Sequence, residues 1–154
     1  MSSFKKEYDA LAEAIITNAV IVPAVELEVG KPLPPHFYTE NAAWDTGAQF
    51  TIISPRVVEK LKLQSYGVGG VMGIGGDQVT STYLVNVVLS NGKVIYDMEV
   101  YCSDIDDYDI LIGMDIIAET DFLITNKDGK TTFQFRTPSE GGVELYYTNA
   151  KYLS

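Results

Sequence analysis

Asp45 is the side chain with the clearest means to do chemistry. The small and apolar run Ala42-Ala43-Trp44 delivers it into Thr46-Gly47-Ala48, and a β-rich run, Gln49 to Ser54, follows. A carboxylate that works as general acid or base must be held still, partly shielded, and close to a partner that moves its pKa toward the working pH. A strand–turn–strand corner bounded by small residues offers that setting. Thr46 brings a hydroxyl that can fix the loop, and Gly47 lets a backbone N–H approach the carboxylate with no Cβ in the way. The same three residues could also form an ordinary β-turn, so the surrounding chain has to decide.

Rival chemistries have less to work with. The chain has a single cysteine, Cys102, and a single histidine, His36. That rules out a disulfide framework and a Cys/His zinc site within the chain. A Ser-His-Asp triad would need His36, which sits in the loop-like Pro34-Pro35-His36-Phe37. Gln64 to Asp77 holds six of the 13 glycines, so a phosphate loop is a rival. From Gly73 and Gly75, however, the third glycine of G-x-G-x-x-G would fall at Gln78, and no Gly-Lys-Ser/Thr occurs. The acidic run Asp104, Asp106, Asp107 and Asp109 lacks the glycine and terminal glutamate of an EF-hand and reads as a solvated turn. No metal and no cofactor is expected.

Composition narrows the class. With 154 residues, 46% hydrophobic and 21% charged, the chain suits one globular domain with a real core. A net charge of −10 argues against nucleic acid or an anionic membrane as partner. No run reaches the ~20 apolar residues of a membrane helix, and the N-terminus lacks the basic–apolar–small order of a signal peptide. The expectation is a cytoplasmic protein, and the opening Met leads to the expectation of a complete chain.

The elements that must position Asp45 follow from periodicity. Phe4, Tyr8, Leu11, Ala12, Ile15 and Ile16 fall on one helical face, which predicts a helix over Phe4–Asn18 capped by Ser3. Ala19 to Val22 is apolar. Val25, Leu27 and Val29 alternate with Glu26 and Glu28 as a half-buried strand, ended by the proline-rich turn Gly30 to Pro35. After the Asp45 loop, Ser54-Pro55 opens a short helix to about Leu63. A glycine-rich turn then enters a long alternating strand, Val79 to Leu89. Asn91-Gly92 predicts a type I′ hairpin turn into Val94–Cys102. The apolar Ile110-Leu111-Ile112 meets Gly113 and a short helix. Asp121–Asn126 and Thr132–Arg136 form strands joined at Asp128-Gly129, and Val143–Thr148 reads as a last strand.

Asp45-Thr46-Gly47-Ala48, the glycine-tipped hairpin and Ile110-Leu111-Ile112-Gly113 with its short helix occur in an order that resembles the retropepsin-like aspartic protease domain. Gly113-Met114-Asp115-Ile116-Ile117 and Lys130 to Arg136 look like bacterial members, with Thr120 standing where Gly is usual. The resemblance covers about Ile21 to Ser139. It implies a mostly β fold, a single-lobed closed acid-protease barrel with short helices, to which the N-terminal helix is an addition. The corresponding organisation is a 1–20 helical extension, a 21–139 protease domain and a 140–154 strand and tail.

The resemblance also implies a function: an aspartic endopeptidase that hydrolyses peptide bonds of a peptide or protein substrate. No second Asp-Ser/Thr-Gly occurs, so the active species would be a homodimer with one Asp45 from each copy. Thr46 would lock the two loops across the axis and Gly47 would offer its N–H near the carboxylates. Ala48 would line the substrate site, and Met72, Gly73, Ile74, Gly75 and Gly76 would form the tip of a flap. Asp115 would be structural, and Val143–Thr148 could serve as an interface strand. Two alternatives stay open at this point: a non-catalytic module of this fold that binds peptides or dimerises, and, with poorer motifs, a glycine-loop nucleotide binder.

Overall fold

Alternating apolar and polar side chains build most of this chain into strands, as the computed structural model shows for residues 2–73, 76–142 and 144–145. In chain order the described elements are β1 (Ser2–Glu7), β2 (Ile16–Pro23), β3 (Phe37–Trp44), β4 (Ile52–Ile53), α1 (Pro55–Leu61), β5 (Gly67–Gly73), β6 (Gly76–Leu89), β7 (Val94–Cys102), β8 (Ile110–Ile112), α2 (Met114–Ile117), β9 (Asp121–Thr125) and β10 (Thr132–Thr137). The protein is mostly β, as expected.

Six strands close on themselves. β2 pairs with β3, β3 runs parallel to β8, and β8 pairs with β4. β4 runs parallel to β7, β7 pairs with β6, and β6 returns to β2. Closure leaves these strands no free edge. The interior is filled by Ile21, Val57, Val85, Val87, Val100, Ile110, Ile112 and Ile116, all fully buried, and each such burial stabilises by about 1.5–3 kcal/mol. β5 extends beyond the closed ring and, among the described residues, pairs only with β6. A second sheet, in the order β1-β10-β9, packs against the barrel. Trp44 joins the two: its ring lies 4.8 Å from that of Phe135, 5.2 Å from Phe133 and 6.4 Å from Phe122.

The N-terminal segment departs from expectation. Residues 2–7 form a strand, not a helix, and the chain returns to strand at Ile16. Phe4 does face inward, but with period two: Ser2, Phe4 and Lys6 are half-buried while Ser3, Lys5 and Glu7 are exposed. Pairing along all of β10 and the Phe4–Phe135 ring contact outweigh a helical spacing that was accidental. Leu11, counted on the helical face, is 61% exposed.

The strand expected over 25–29 is also absent. β2 ends at Pro23, and Val25 and Val29 are exposed in an irregular loop that runs to β3. At the β6–β7 turn the Gly92 N–H donates to Leu89 O at 2.8 Å, and of Asn91 and Gly92 only Gly92 takes a positive φ, so the turn is not the type I′ pair expected. Asn91 instead donates its side-chain amide to Ser2 O and Thr137 Oγ1, tying the turn to the second sheet. Asp128 and Gly129 both take positive φ in the β9–β10 hairpin, as that sequence favours. Of the expected strand Val143–Thr148, Val143 and residues 146–148 lie outside the described residues, and Glu144 and Leu145 carry no regular structure. No helix among the described residues is long and apolar enough to cross a membrane.

Candidate active site

The loop that holds Asp45 is built by two parallel strands and a helix start. β3 ends at Trp44, opposite Ile112 of β8. The Asp45 N–H then donates to Ile112 O at 2.9 Å. Ala48 N–H closes the turn on Asp45 O at 3.2 Å. Inside that turn the Gly47 N–H donates to Asp45 Oδ1 at 2.8 Å. A Cβ on Gly47 would stand 3.2 Å from the same oxygen, so a larger residue would crowd the carboxylate. Asp45 is half-buried. No donor reaches its Oδ2 among the described residues, which leaves that oxygen free to meet something else.

The far side of the loop is clamped by the Gly113 corner. Met114 N–H donates to Ala48 O at 2.8 Å and Asp115 N–H to Gln49 O at 3.3 Å. A Cβ on Gly113 would lie 2.6 Å from the Phe50 carbonyl carbon and 2.7 Å from its oxygen, so backbone meets backbone where only glycine fits. The Gly113 N–H donates to Thr51 Oγ1 at 3.1 Å. Thr51, fully buried, donates its hydroxyl to Asp115 Oδ1 at 2.7 Å and its N–H to Asp115 Oδ2 at 2.9 Å. Asp115 therefore holds the strand that leaves the loop.

A wall of apolar surface stands beside the loop. Phe50, 40% exposed, packs its ring 5.2 Å from Tyr101 of β7. Tyr101 in turn lies under β5, where a Cβ on Gly69 would stand 2.3 Å from its ring. The base of the β5–β6 hairpin is thus seated on the same aromatic pair that borders the Asp45 loop.

The expected site residues fall as follows. Asp45 and Gly47 meet directly, and Ala48 is joined to α2. Thr46 is exposed and makes no hydrogen bond among the described residues. Gly73 and Gly76 face each other at the outer end of the β5–β6 hairpin, with Met72 opposite Asp77. Ile74 and Gly75 lie outside the described residues. Sequence reasoning missed Thr51, Phe50 and Tyr101. Thr51 and Asp115 are 64 residues apart, and no local pattern links them.

Known proteins resemble this arrangement. A family model described as aspartyl protease matches residues 38–116, which span β3 to α2. EIAV protease, solved in complex with the inhibitor HBY-793, is 22% identical, with a TM-score of 0.50 over 72% of this chain and 90% of that one. A retropepsin-like aspartic protease from Rickettsia conorii is 15% identical, with a TM-score of 0.48 over 87% of this chain and 94% of that one. The first shares the fold. No curated protein matches the sequence.

Proposed function

The chain belongs to the aspartyl protease family, and from that premise we propose that it is a homodimeric aspartic endopeptidase. The observation that carries the proposal is the Asp45 loop itself. One carboxylate oxygen is fixed by the Gly47 N–H, and the other has no donor among the described residues. A single Asp-Thr-Gly supplies one carboxylate, so a second copy of the chain supplies the other.

Two carboxylates a few ångströms apart do not both ionise readily, and they share one proton. The ionised member takes a proton from the water held between them. The water oxygen bonds to the peptide carbonyl carbon, while the protonated member donates to the carbonyl oxygen. Collapse of the tetrahedral intermediate breaks the C–N bond, with a proton passing to the leaving amine. The pair titrates as a unit, and its two pKa values belong to the dyad.

Around this centre Thr46 is assigned to the contact between the two loops, and Ala48 to the substrate side of the turn. The β5–β6 hairpin, with Met72, Gly73, Ile74, Gly75 and Gly76 at its outer end, is the flap that closes over an extended peptide. Its seat on Tyr101 supports that role, because a lid must be anchored at its base.

The test is cleavage of a diverse peptide library by the protein and by Asp45→Asn, from about pH 4 to 7, where a proton-sharing pair should work. Cleavage confined to the unaltered protein is the expected result. Equal cleavage by both would overturn the proposal.

A further inference from the structure

The acidic run before β8 takes no part in the Asp45 loop. In the fold it lines a polar cleft of about 420 Å³, together with Asn41 at β3 and the start of α1 at Ser54. Asp109 is spent on the chain's own structure: it is buried, ion-paired with Arg56 and hydrogen-bonded by the Thr39 hydroxyl. Asp104, Asp106 and Asp107 are exposed and form no ion pair among the described residues. Three carboxylates thus line the cleft with no cation to balance them.

Charge alone defines no ligand, but Ser54 adds a second requirement. It lines the same cleft and is 7% exposed, and its hydroxyl has no partner among the described residues. It stands at the N-cap of α1, yet the hydroxyl makes no cap bond. A buried hydroxyl without a partner is rare and costly. A guest with N–H donors and a positive charge satisfies the hydroxyl and the carboxylates together. Among the described residues no three Asp, Glu, His or Cys side chains are grouped to hold a metal ion. The arrangement therefore suits an ammonium or guanidinium group.

The cleft stands at the far end of the two strands that carry the active site. β3 and β8 run parallel, with Ala42 beside Ile110 at one end and Trp44 beside Ile112 at the other. Asp45 follows the second end. Asn41 and Asp109, joined by a 3.0 Å backbone hydrogen bond, precede the first. Strand geometry puts Asn41 about 13 Å from Asp45. A peptide extended away from Asp45 covers that distance in about four residues, so one substrate can reach both places.

We propose that this cleft binds a lysine or arginine side chain of the protein substrate, about four residues or more from the bond that is cut. Ser54 Oγ accepts an N–H of the cationic group, and Asp104, Asp106 and Asp107 supply the field that draws it in. The inference rests on the aspartic protease reading and names a substrate class for it: chains with a basic residue outside the cleaved stretch.

Two measurements test it, the first without cleavage. Fluorescence anisotropy follows a labelled Gln-Lys-Lys-Gln peptide at low salt, where charge is least screened. It is titrated with the unaltered protein, Asp106→Asn/Asp107→Asn and Ser54→Ala, and with Glu13→Gln/Glu26→Gln, which removes the same charge elsewhere on the surface. The dissociation constant should rise ~10-fold in the aspartate variant and ~3-fold in Ser54→Ala, and stay within ~2-fold in the control. Ser54→Ala should keep its melting midpoint, because the hydroxyl has no bond to lose. In the second measurement, a peptide that the protein cuts is extended with Lys-Lys or Glu-Glu about four to six residues from the cut bond. The lysine form should have a KM ~5-fold lower with kcat unchanged. That difference should vanish in Asp106→Asn/Asp107→Asn, which should cut the unextended peptide normally.

Equal affinity in the aspartate variant, or an equal loss in the charge control, would overturn the site. Displacement of the peptide by micromolar calcium would make it a metal site and overturn it too. Lysine binding with no effect on KM would overturn the assignment to substrate. All of these leave the protease standing. Cleavage retained by Asp45→Asn is a different failure: it removes the protease reading, and the substrate assignment with it, whatever the anisotropy shows.

Discussion

Asp45 and Asp115 stand on opposite sides of one loop and are used in opposite ways. Asp115 has both oxygens engaged: Oδ1 accepts the Thr51 hydroxyl and the Ile116 N–H, and Oδ2 accepts the Thr51 N–H. Asp45 has one oxygen on the Gly47 N–H and no donor to the other among the described residues. A carboxylate whose two oxygens are both held by its own chain is a fastener. One held by a single bond, in a turn that cannot shift, is available for a reaction. The contrast shows how a small fold keeps a reactive group both rigid and unsatisfied: the rigidity is supplied by the neighbouring aspartate.

The sharpest way to break that contrast is to disable each carboxylate in turn. Asp45→Asn keeps the shape and removes the acid–base function, so peptide cleavage should fall by ~10²–10⁴-fold. Its urea midpoint should move little, within about 0.5 kcal/mol. Asp115→Ala should do the reverse. It strands the Thr51 N–H and hydroxyl in a buried corner, which costs about 2–4 kcal/mol in urea unfolding. If Asp115→Ala abolished cleavage with stability unchanged, the division of labour would be wrong.

Gly113→Ala probes the same fastening from the other side. Its Cβ would meet the Phe50 backbone at 2.6 Å, and the forced shift should cost about 1–3 kcal/mol of stability. Gly69→Ala makes a closer approach, 2.3 Å, but to the Tyr101 side chain, which can move. There the effect should appear in substrate binding, as a rise in KM of about threefold to tenfold, or about 1 kcal/mol. Tyr101→Leu in the same chain should restore part of it.

The smallest effect concerns Asp121. The Ser139 hydroxyl, the Glu140 N–H and Arg136 together lower its pKa from an ordinary 3.8 to about 2. A folded value below the unfolded one stabilises above about pH 4, and that contribution disappears as the pH falls through about 2. Asp121→Asn should therefore lower stability slightly at neutral pH and flatten its pH dependence in that window, as thermal melts would show.

Much of this was legible in the chain. Asp45-Thr46-Gly47-Ala48 announced a turn, Asp128-Gly129 a hairpin, and the alternation from Val79 to Leu89 the long strand of the barrel. The family resemblance rested on residues that the fold brings to one corner, Ala48 against Met114 and Asp45 against Ile112. What stayed hidden depends on partners far away in sequence. Phe4 and Tyr8 look helical until β10 is there to pair with β1. Ser54 occupies the N-cap position of α1, yet its hydroxyl is buried and does not cap the helix. The Thr51–Asp115 link and the Phe50–Tyr101–Gly69 stack join segments that no local pattern connects.

The central claim is that one active site needs Asp45 from two copies, and subunit mixing tests it directly. Unaltered protein and Asp45→Asn are combined at a fixed total concentration, allowed to exchange, and assayed for peptide cleavage as the proportion varies. Activity should follow the square of the unaltered fraction, so that an equal mixture retains about a quarter of the full rate. A linear decline, with about half the rate left in the equal mixture, would mean that each copy works alone and would contradict the account.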